Sequence, residues 1–260
     1  MTERYRFDLH IHSHHSEDSC LEVGEILKTA RARGLHGVAI CDHGTVRGSL
    51  EAAARNPYSD LLVIPAAEYA TEIGHIIGYF LQGELQLPAG GRGCSWRQVV
   101  DAIRVQGGLV FIAHPFKRRS LMYTTVWDNL DGIEVYNARV ALRRRGQANW
   151  KAREASNLTG LPFSAGSDAH TLGEIGRAGV ELALDQLSLE AVREALLARR
   201  AEVWGSPAPL GAESYSQLMR VGRRREWQWL PQLLLRALYV LPADLCHRLS
   251  GRARKMERWN

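Results

Sequence analysis

A chain of 260 residues, 45% of them hydrophobic, holds enough apolar material for one large core or for one domain with an extension, and this excludes a disordered chain. The net charge of +5 is uneven: residues 211–260 carry ten Lys or Arg against four Asp or Glu, which leaves residues 1–210 slightly acidic. A whole-surface electrostatic case for nucleic-acid binding is therefore excluded for residues 1–210, and any such case must rest on the tail or on a local pocket.

The first apolar run, Phe7-Asp8-Leu9-His10-Ile11-His12, ends in a His-x-His pair. Strand alternation sends His10 and His12 to one face, so both imidazoles address a point beyond the strand's C-terminal end, while Asp8 is expected to make a structural hydrogen bond in the barrel floor. A polar loop, Ser13 to Ser19, leads to an amphipathic helix over about 23–33 that stops at Gly34. Gly37 to Cys41 is a buried strand delivering Asp42-His43-Gly44, with Asp42 expected to cap the loop or orient a ligand. A short helix over 49–55 and a strand over 61–66 bring in Glu68, and a strand over 73–81 has His75 near its start. His14 and His15 stand as extras, exposed on their loop or gating the site.

Residues 84–95 are a glycine-rich loop, 96–106 a helix, and 108–113 a strand whose exit is His114-Pro115-Phe116. A strand over 131–136 ends at Asn137, and an arginine-rich helix covers 140–157. The strand over 162–165 delivers Gly166-Ser167-Asp168-Ala169-His170; a last strand near 180–184 and a helix over 188–199 complete the compact part. Alternating apolar strands and helices predict an α/β barrel-like sheet with helices outside and a site beyond the C-terminal strand ends. An open doubly wound sheet would concentrate its site at one crevice, whereas polar residues leave at least six strands here.

Residues 211–260 form a basic extension to the domain of residues 1–210. Arg223-Arg224-Arg225 precedes Trp227 and Trp229, and Pro231 and Pro242 bracket an apolar stretch of about ten residues that predicts a short helix, too short to span a bilayer. That helix is expected to pack on the barrel or across a homodimer interface, with a surface-lying membrane anchor as the alternative and nucleic-acid contact as a third. The cysteines Cys20, Cys41, Cys94 and Cys246 have no zinc-knuckle or disulfide spacing and read as free thiols. With no apolar signal segment before the first strand, the expected location is the cytoplasm, or the inner membrane surface if the extension anchors there.

His10-Ile11-His12, Ser16-Glu17-Asp18-Ser19, Ile40-Cys41-Asp42-His43, Glu68, Gly74-His75-Ile76, Ala113-His114-Pro115-Phe116, Gly132-Ile133-Glu134-Val135-Tyr136-Asn137 and Gly166-Ser167-Asp168-Ala169-His170 together resemble the PHP family, the polymerase and histidinol phosphatase domain, in its small stand-alone form. The resemblance runs from residue 7 to about 180. It implies a distorted seven-stranded (β/α)7 barrel holding two or three divalent ions and hydrolysing a phosphoester. Carried over residue by residue, it places His10, His12 and Asp168 on one ion, Glu68 as a bridge, His75 and His114 on the second, and Asp18, His43 and His170 on a third. Glu17 competes with Asp18 for the loop position; the Ser-x-Asp-Ser form of small members favours Asp18.

The chemistry supplies its own reason for these residue types. An anionic phosphoester repels hydroxide, so hydrolysis needs positive charge on the phosphoryl oxygens and a nucleophile generated near neutral pH. Mixed imidazole and carboxylate donors suit manganese, zinc or iron better than magnesium. His10, His12, Glu68 and Asp168 are the residues expected to be central to catalysis. Arg139, Arg177, Lys117, Arg118 and Asn137 stand near strand exits as candidates for substrate phosphate. The expected substrate is a small phosphomonoester or nucleotide, extending to a short oligonucleotide; an exonuclease or oligonucleotide phosphodiesterase is the alternative, and a non-catalytic binding protein a third reading that would require losses among the nine positions.

Overall fold

The computed structural model describes residues 2–88, 93–117, 124–141, 146–209, 211–235, 238 and 257–259. The strands are β1 (Glu3–Ile11), β2 (Gly37–Ile40), β3 (Leu62–Thr71), β4 (Gly74–Tyr79), β5 (Leu109–Ala113), β6 (Gly132–Asn137), β7 (Phe163–Gly166), β8 (Ala178–Leu184), β9 (Ala201–Gly205) and β10 (Glu257–Trp259). They form one sheet in the order β10-β9-β8-β1-β2-β3-β4-β5-β6-β7. The helices are α1 (Val23–Ala32), α2 (Arg47–Arg55), α3 (Trp96–Val105), α4 (Gln147–Thr159), α5 (Leu189–Leu197) and α6 (Ala212–Arg224).

The expected seven-stranded (β/α)7 barrel is not what forms: β1 to β9 make a nearly closed mixed barrel with helices following at the C-terminal side, and β10 adds to the edge of β9. Loop length explains the first departure. Only Glu72 and Ile73 separate β3 from β4, too few for the crossover a parallel neighbour needs, so β4 turns back antiparallel to both β3 and β5. The second departure is at β1, whose two halves have different partners. Residues Glu3 to Phe7 pair antiparallel with β8, whereas Ile11 bridges Ala169 in parallel, His12 N donates to Ala169 O at 2.8 Å and Asp168 N donates to His10 O at 2.7 Å. Alternation of apolar runs counts strands without fixing their directions, and β9, a five-residue run beyond the strand expected to be last, is buried through Val203 and Trp204.

Element ends shift for local reasons. β3 runs on through Thr71 because its hairpin partner pairs with Ala66 to Thr71, which puts Glu68 inside the strand. α4 begins at Gln147 because Gly146 takes a left-handed φ of 77° there, and Arg143 to Arg145 lie outside the described residues. α3 starts where Ser95 and Gln98 cap each other, Ser95 N donating to Gln98 Oε1 and Gln98 N to Ser95 Oγ. In the extension, residues 230–235 are helical, and half of the segment from Pro231 to Pro242 lies outside the described residues, as does Cys246. Cys20, Cys41 and Cys94 are free thiols. Among the described residues, no helix is long and apolar enough to cross a membrane.

The core fills with Phe7, Leu9, Ile64, Ile77, Tyr79, Phe111 and Ile133, all buried. Tyr79 spans it, donating to Leu9 O at 3.0 Å, and so ties β4 to β1. Pairing directions leave β1, β2, β3, β5, β6 and β7 pointing one way. Their C-terminal ends and the beginning of the reversed β4 therefore share one mouth, and this is how His75, at a strand's start, joins residues from strand ends. Gly166 makes the approach of β7 to β1 possible: a Cβ there would lie 2.3 Å from the Cβ of His10.

Candidate metal centre

His10 and His12, both fully buried, leave β1 on one face. Each has its Nδ1 committed to the protein. His10 Nδ1 donates to Glu134 Oε1 at 2.9 Å, and His12 Nδ1 donates to Ser16 Oγ at 3.1 Å, whose own proton goes to Asp42 Oδ1 at 3.0 Å. His170 repeats the device, Nδ1 donating to Asp168 O at 2.8 Å. These bonds turn the Nε2 lone pairs inward. His10 Nε2 and His12 Nε2 then lie 3.1 Å apart, a separation at which two lone pairs repel unless a proton or a cation stands between them.

Glu68 sits at the centre of the imidazoles. Its carboxylate lies 2.9 Å from His75 Nδ1, 3.0 Å from His43 Nδ1, 3.0 Å from His114 Nε2 and 3.7 Å from both His10 Nε2 and His12 Nε2. Asp168 Oδ1 is 3.3 Å from His12 Nε2 and 3.8 Å from His10 Nε2. Asp18 Oδ2 is 3.2 Å from His170 Nε2 and 3.5 Å from His43 Nε2, while its Oδ1 is buried without a hydrogen bond. Four overlapping groups result, each with donor atoms within 4.8 Å of one another: His10, His12 and Asp168; His10, Glu68 and His114; His43, Glu68 and His75; His12, Asp18, His43 and His170.

All nine residues singled out in the sequence thus stand in these groups, which are capable of chelating two or three divalent ions. The sharing is wider than a bridge at Glu68 alone, since His10, His12 and His43 each belong to two groups. Imidazole nitrogens converging with carboxylates from separate strands, one carboxylate oxygen of Asp18 buried without a hydrogen bond, make a donor set that fits metal.

The charges agree with that fit. Burial opposes a charge on His10, but Glu134, Asp168 and Glu68 hold its pKa well above 6.5. Burial, with His170 and His43 beside it, pushes His12 well below 6.5. Burial would raise both Glu68 and Asp168; the imidazoles of His75, His10 and His43 keep Glu68 well below the usual carboxylate range, and Lys117 with His10 does the same for Asp168. Two non-glycine residues here have left-handed backbones, His114 at φ 29° and Asp168 at φ 56°. Such conformations cost roughly 1–3 kcal/mol each and persist where surrounding bonds over-determine them. His114 N donates to Glu134 Oε2 at 2.7 Å, and Asp168 Oδ2 accepts from Asn137 Nδ2 at 3.2 Å.

Glu134 is the functional residue that sequence reasoning quoted in a motif without giving it a role. It is a buried carboxylate on β6 binding His10, the His114 backbone and Asn137 at once. The available signal was an ionisable side chain between Ile133 and Val135 in an apolar strand. Ser16, which orients His12 and accepts His43 N at 3.0 Å, was passed over as loop polarity. Asp42 binds Ser13 N, Ser13 Oγ and Ser16 Oγ, and Asp8 binds Ser167 N and Gly176 N, so each carboxylate pins a loop of the mouth.

The substrate candidates divide. Lys117 Nζ stands 3.6 Å from Asp168 Oδ2, part-exposed at the clusters. Asn137 is buried and fully engaged: its Nδ2 donates to Glu134 and Asp168, and its Oδ1 accepts from the backbones of Arg139 and Val140. Arg139 is buried and turned to Glu174, Ser216 and Ala212 O, not to the clusters. Arg177 reaches Gly173 O at 3.4 Å and its charge faces Arg33. Arg118 lies outside the described residues. Of the two loop carboxylates, Asp18 faces the imidazoles while Glu17 pairs with Arg224.

Family models match in two places, the PHP domain over residues 8–83 and a PHP-associated region over residues 146–201. The uncharacterized protein MJ0417 of Methanocaldococcus jannaschii is 31% identical over 195 residues, 71% of this chain and 73% of its own length. MJ1587 of the same organism, also uncharacterized, is 34% identical over 143 residues, 50% of this chain and 81% of its own. Among solved structures, a two-domain protein from Bacteroides vulgatus ATCC 8482, containing a predicted PHP-like metal-dependent phosphoesterase, superposes with a TM-score of 0.65 at 18% identity, over 79% of this chain and 66% of that one. A lesion-specific endonuclease from Pyrococcus furiosus gives a TM-score of 0.54 at 16% identity, over 75% of this chain and 56% of that one. At these identities the structural likeness concerns the fold; with the matched family models and the relatives of more than 30% identity, it establishes that the chain belongs to the PHP domain family.

Proposed function

We propose that the protein is a metal-dependent phosphoesterase whose substrate is a compact phosphorylated molecule, a phosphomonoester or nucleotide. The observation that carries hydrolysis is the convergence of nine His, Asp and Glu donors, from separate strand ends, on overlapping groups centred on Glu68. Ions bound there supply Lewis-acid charge for phosphoryl oxygens and a lowered pKa for water. The protein's own part is positional. Glu134, Ser16 and the Asp168 carbonyl fix the imidazoles of His10, His12 and His170, and Asp168 and Glu68 stay ionised despite their burial. Lys117, part-exposed beside Asp168, is the cation available to a substrate phosphate at the mouth.

A compact substrate is supported by the slightly acidic balance of residues 1–210, which does not favour the continuous positive track that several backbone phosphates need. It is supported also by α6, whose Arg223 donates to His14 O at 2.8 Å and Ser16 O at 2.7 Å and so borders the loop that carries Asp18. These contacts favour an intramolecular role for the extension over a membrane anchor or a dimer interface. The nuclease reading draws on the likeness to the endonuclease. A non-catalytic reading finds no support in a site with all nine donors gathered. Rates on phosphomonoesters, nucleoside bisphosphates, cyclic nucleotides and short and long oligonucleotides, with manganese and with zinc, decide the matter. The highest kcat/KM is expected on a small phosphorylated compound; higher efficiency on long polymer, indifferent to terminal phosphate, would establish the nuclease instead.

A further inference from the structure

A second group of potential ligands stands apart from the clusters around Glu68 and shares no residue with them. His14, His15 and Glu51 offer donor atoms within 4.8 Å of one another. We propose that these three residues form a separate site for one borderline divalent cation, of which zinc is the best match, at the rim of the barrel.

The geometry is that of an assembled site. His15 Nε2 lies 2.9 Å from Glu51 Oε2, and the rings of His14 and His15 are tilted at 34° with centroids 4.2 Å apart. His14 Nδ1 is buried, makes no hydrogen bond and stands 3.5 Å from a Glu22 carboxylate oxygen. A nitrogen shielded from water without a hydrogen bond costs roughly 1–3 kcal/mol, and a cation shared with His15 and Glu51 removes that cost. Arg55 engages the other Glu51 oxygen, Oε1, at 2.8 Å, which leaves Oε2 facing the histidines. The side chains of His14, His15 and Glu51 are 29%, 24% and 26% exposed, so an ion can enter from solvent without opening the fold.

The supporting elements are tied by hydrogen bonds. Glu51 is on α2, and the loop carrying both histidines is fixed by His14 N to Leu21 O at 2.8 Å, His15 N to Ser13 Oγ at 3.2 Å and the bonds of Ser13 to Asp42 at 2.6 Å. Ligands whose backbones are already pinned lose little entropy when an ion binds. Two imidazoles and a carboxylate select zinc or its transition-metal neighbours over magnesium and calcium, which prefer oxygen shells, and water can complete a fourth position. An ion here would fasten the loop of residues 13–19 to α2. That loop also presents Ser16 and Asp18 to the main clusters, yet the rim site stands on its own residues and does not depend on the hydrolase reading.

The test uses the full chain, titrated with zinc and assayed for bound metal by elemental analysis after dialysis, alongside His15→Gln, Glu51→Gln and the double variant of His14→Ala with His15→Ala. Wild type is expected to bind one more zinc per chain than the double variant. Glu51→Gln should weaken that one ion at least tenfold without changing the others. Equal stoichiometry and affinity in wild type and both single variants would overturn the site even if the double variant fails to fold. Loss of all zinc from a folded variant would overturn it too, by assigning the ion to the main clusters.

Discussion

Arg139 and Glu174 form a buried bidentate pair, Nε to Oε1 at 2.7 Å and Nη2 to Oε2 at 2.9 Å. Each partner also reaches outward. Arg139 Nη1 donates to Ser216 Oγ on α6 at 2.8 Å, and Glu174 Oε2 accepts from His170 N at 3.1 Å and Thr171 N at 3.0 Å. A chain of charge-assisted bonds therefore runs from α6 to the backbone of a residue in the metal centre. Arginine near a strand exit invites a phosphate-binding reading; here a carboxylate farther along the chain has taken the guanidinium.

Breaking one side of a buried pair leaves the other charge uncompensated, which costs about 3–5 kcal/mol. Glu174→Gln should lower the urea unfolding free energy by that order and loosen the loop of His170. Arg139→Lys should lose most of the same stability, because an ammonium cannot reproduce the planar fork. A change below about 1 kcal/mol in both variants, on denaturant titration, would mean that the pair is not formed in solution.

Glu134→Ala tests the orientation of His10. Without its acceptor, His10 is free to turn or to change tautomer, and removal of such outer partners typically weakens metal binding or activity by about 10–100-fold. The fold should survive, as judged by circular dichroism. Metal affinity equal to wild type would show that His10 needs no help from β6.

His10→Ala and Glu68→Ala should go further and abolish phosphoester hydrolysis at saturating metal, because each residue belongs to two donor groups. Turnover and bound metal are measured on the same folded samples. A near-wild-type rate in either variant would move the chemistry to another site.

Much of this centre was legible in the sequence because imidazoles and carboxylates stand out against apolar strands: His10, His12, Glu68 and Asp168 each follow or interrupt such a run. What was not legible depends on pairing between distant segments. The direction of β4 follows from a two-residue connection, and the split partnership of β1 from the meeting of Ile11 with Ala169, residues far apart in the chain. Glu134 escaped for a related reason, since its role exists only where β6 brings it against β1. Arg139 shows the converse, a residue whose local setting suggested substrate and whose tertiary partner, Glu174, decided otherwise.

Metal loading should stabilise the fold and release protons. His10 holds its proton well above pH 6.5 because Glu134, Asp168 and Glu68 outweigh its burial, so an ion taking its Nε2 must displace that proton. The sign follows directly: apparent metal affinity rises with pH and is lost as pH falls. At a free metal concentration of about one hundred times Kd the gain in stability is about 2.7 kcal/mol, read as a higher unfolding midpoint that a chelator reverses. A titration in weak buffer that releases no protons would contradict the charge state given to His10.

The last prediction concerns α6. Arg223 donates to the carbonyls of His14 and Ser16, while Ser216 accepts from Arg139, so one helix touches the loop that supplies Asp18 and, through the Arg139–Glu174 pair, supports the loop that supplies His170. If the basic extension acts within the molecule, combining Arg223→Ala with Ser216→Ala should lower stability by about 1–3 kcal/mol, chiefly because the buried Arg139 guanidinium loses its Ser216 partner, with a smaller share from the exposed Arg223. Trp227 and Trp229 are 57% and 49% exposed, which is also what a membrane surface would use. The two roles separate experimentally, because Arg223, engaged with loop carbonyls, and Arg224, paired with Glu17, are not free to meet lipid headgroups. Full-length protein is expected to stay in the supernatant with anionic vesicles at low salt. Sedimentation with the vesicles, together with unchanged stability of the double variant, would turn the extension into a peripheral anchor and leave the loops to be held by the barrel alone.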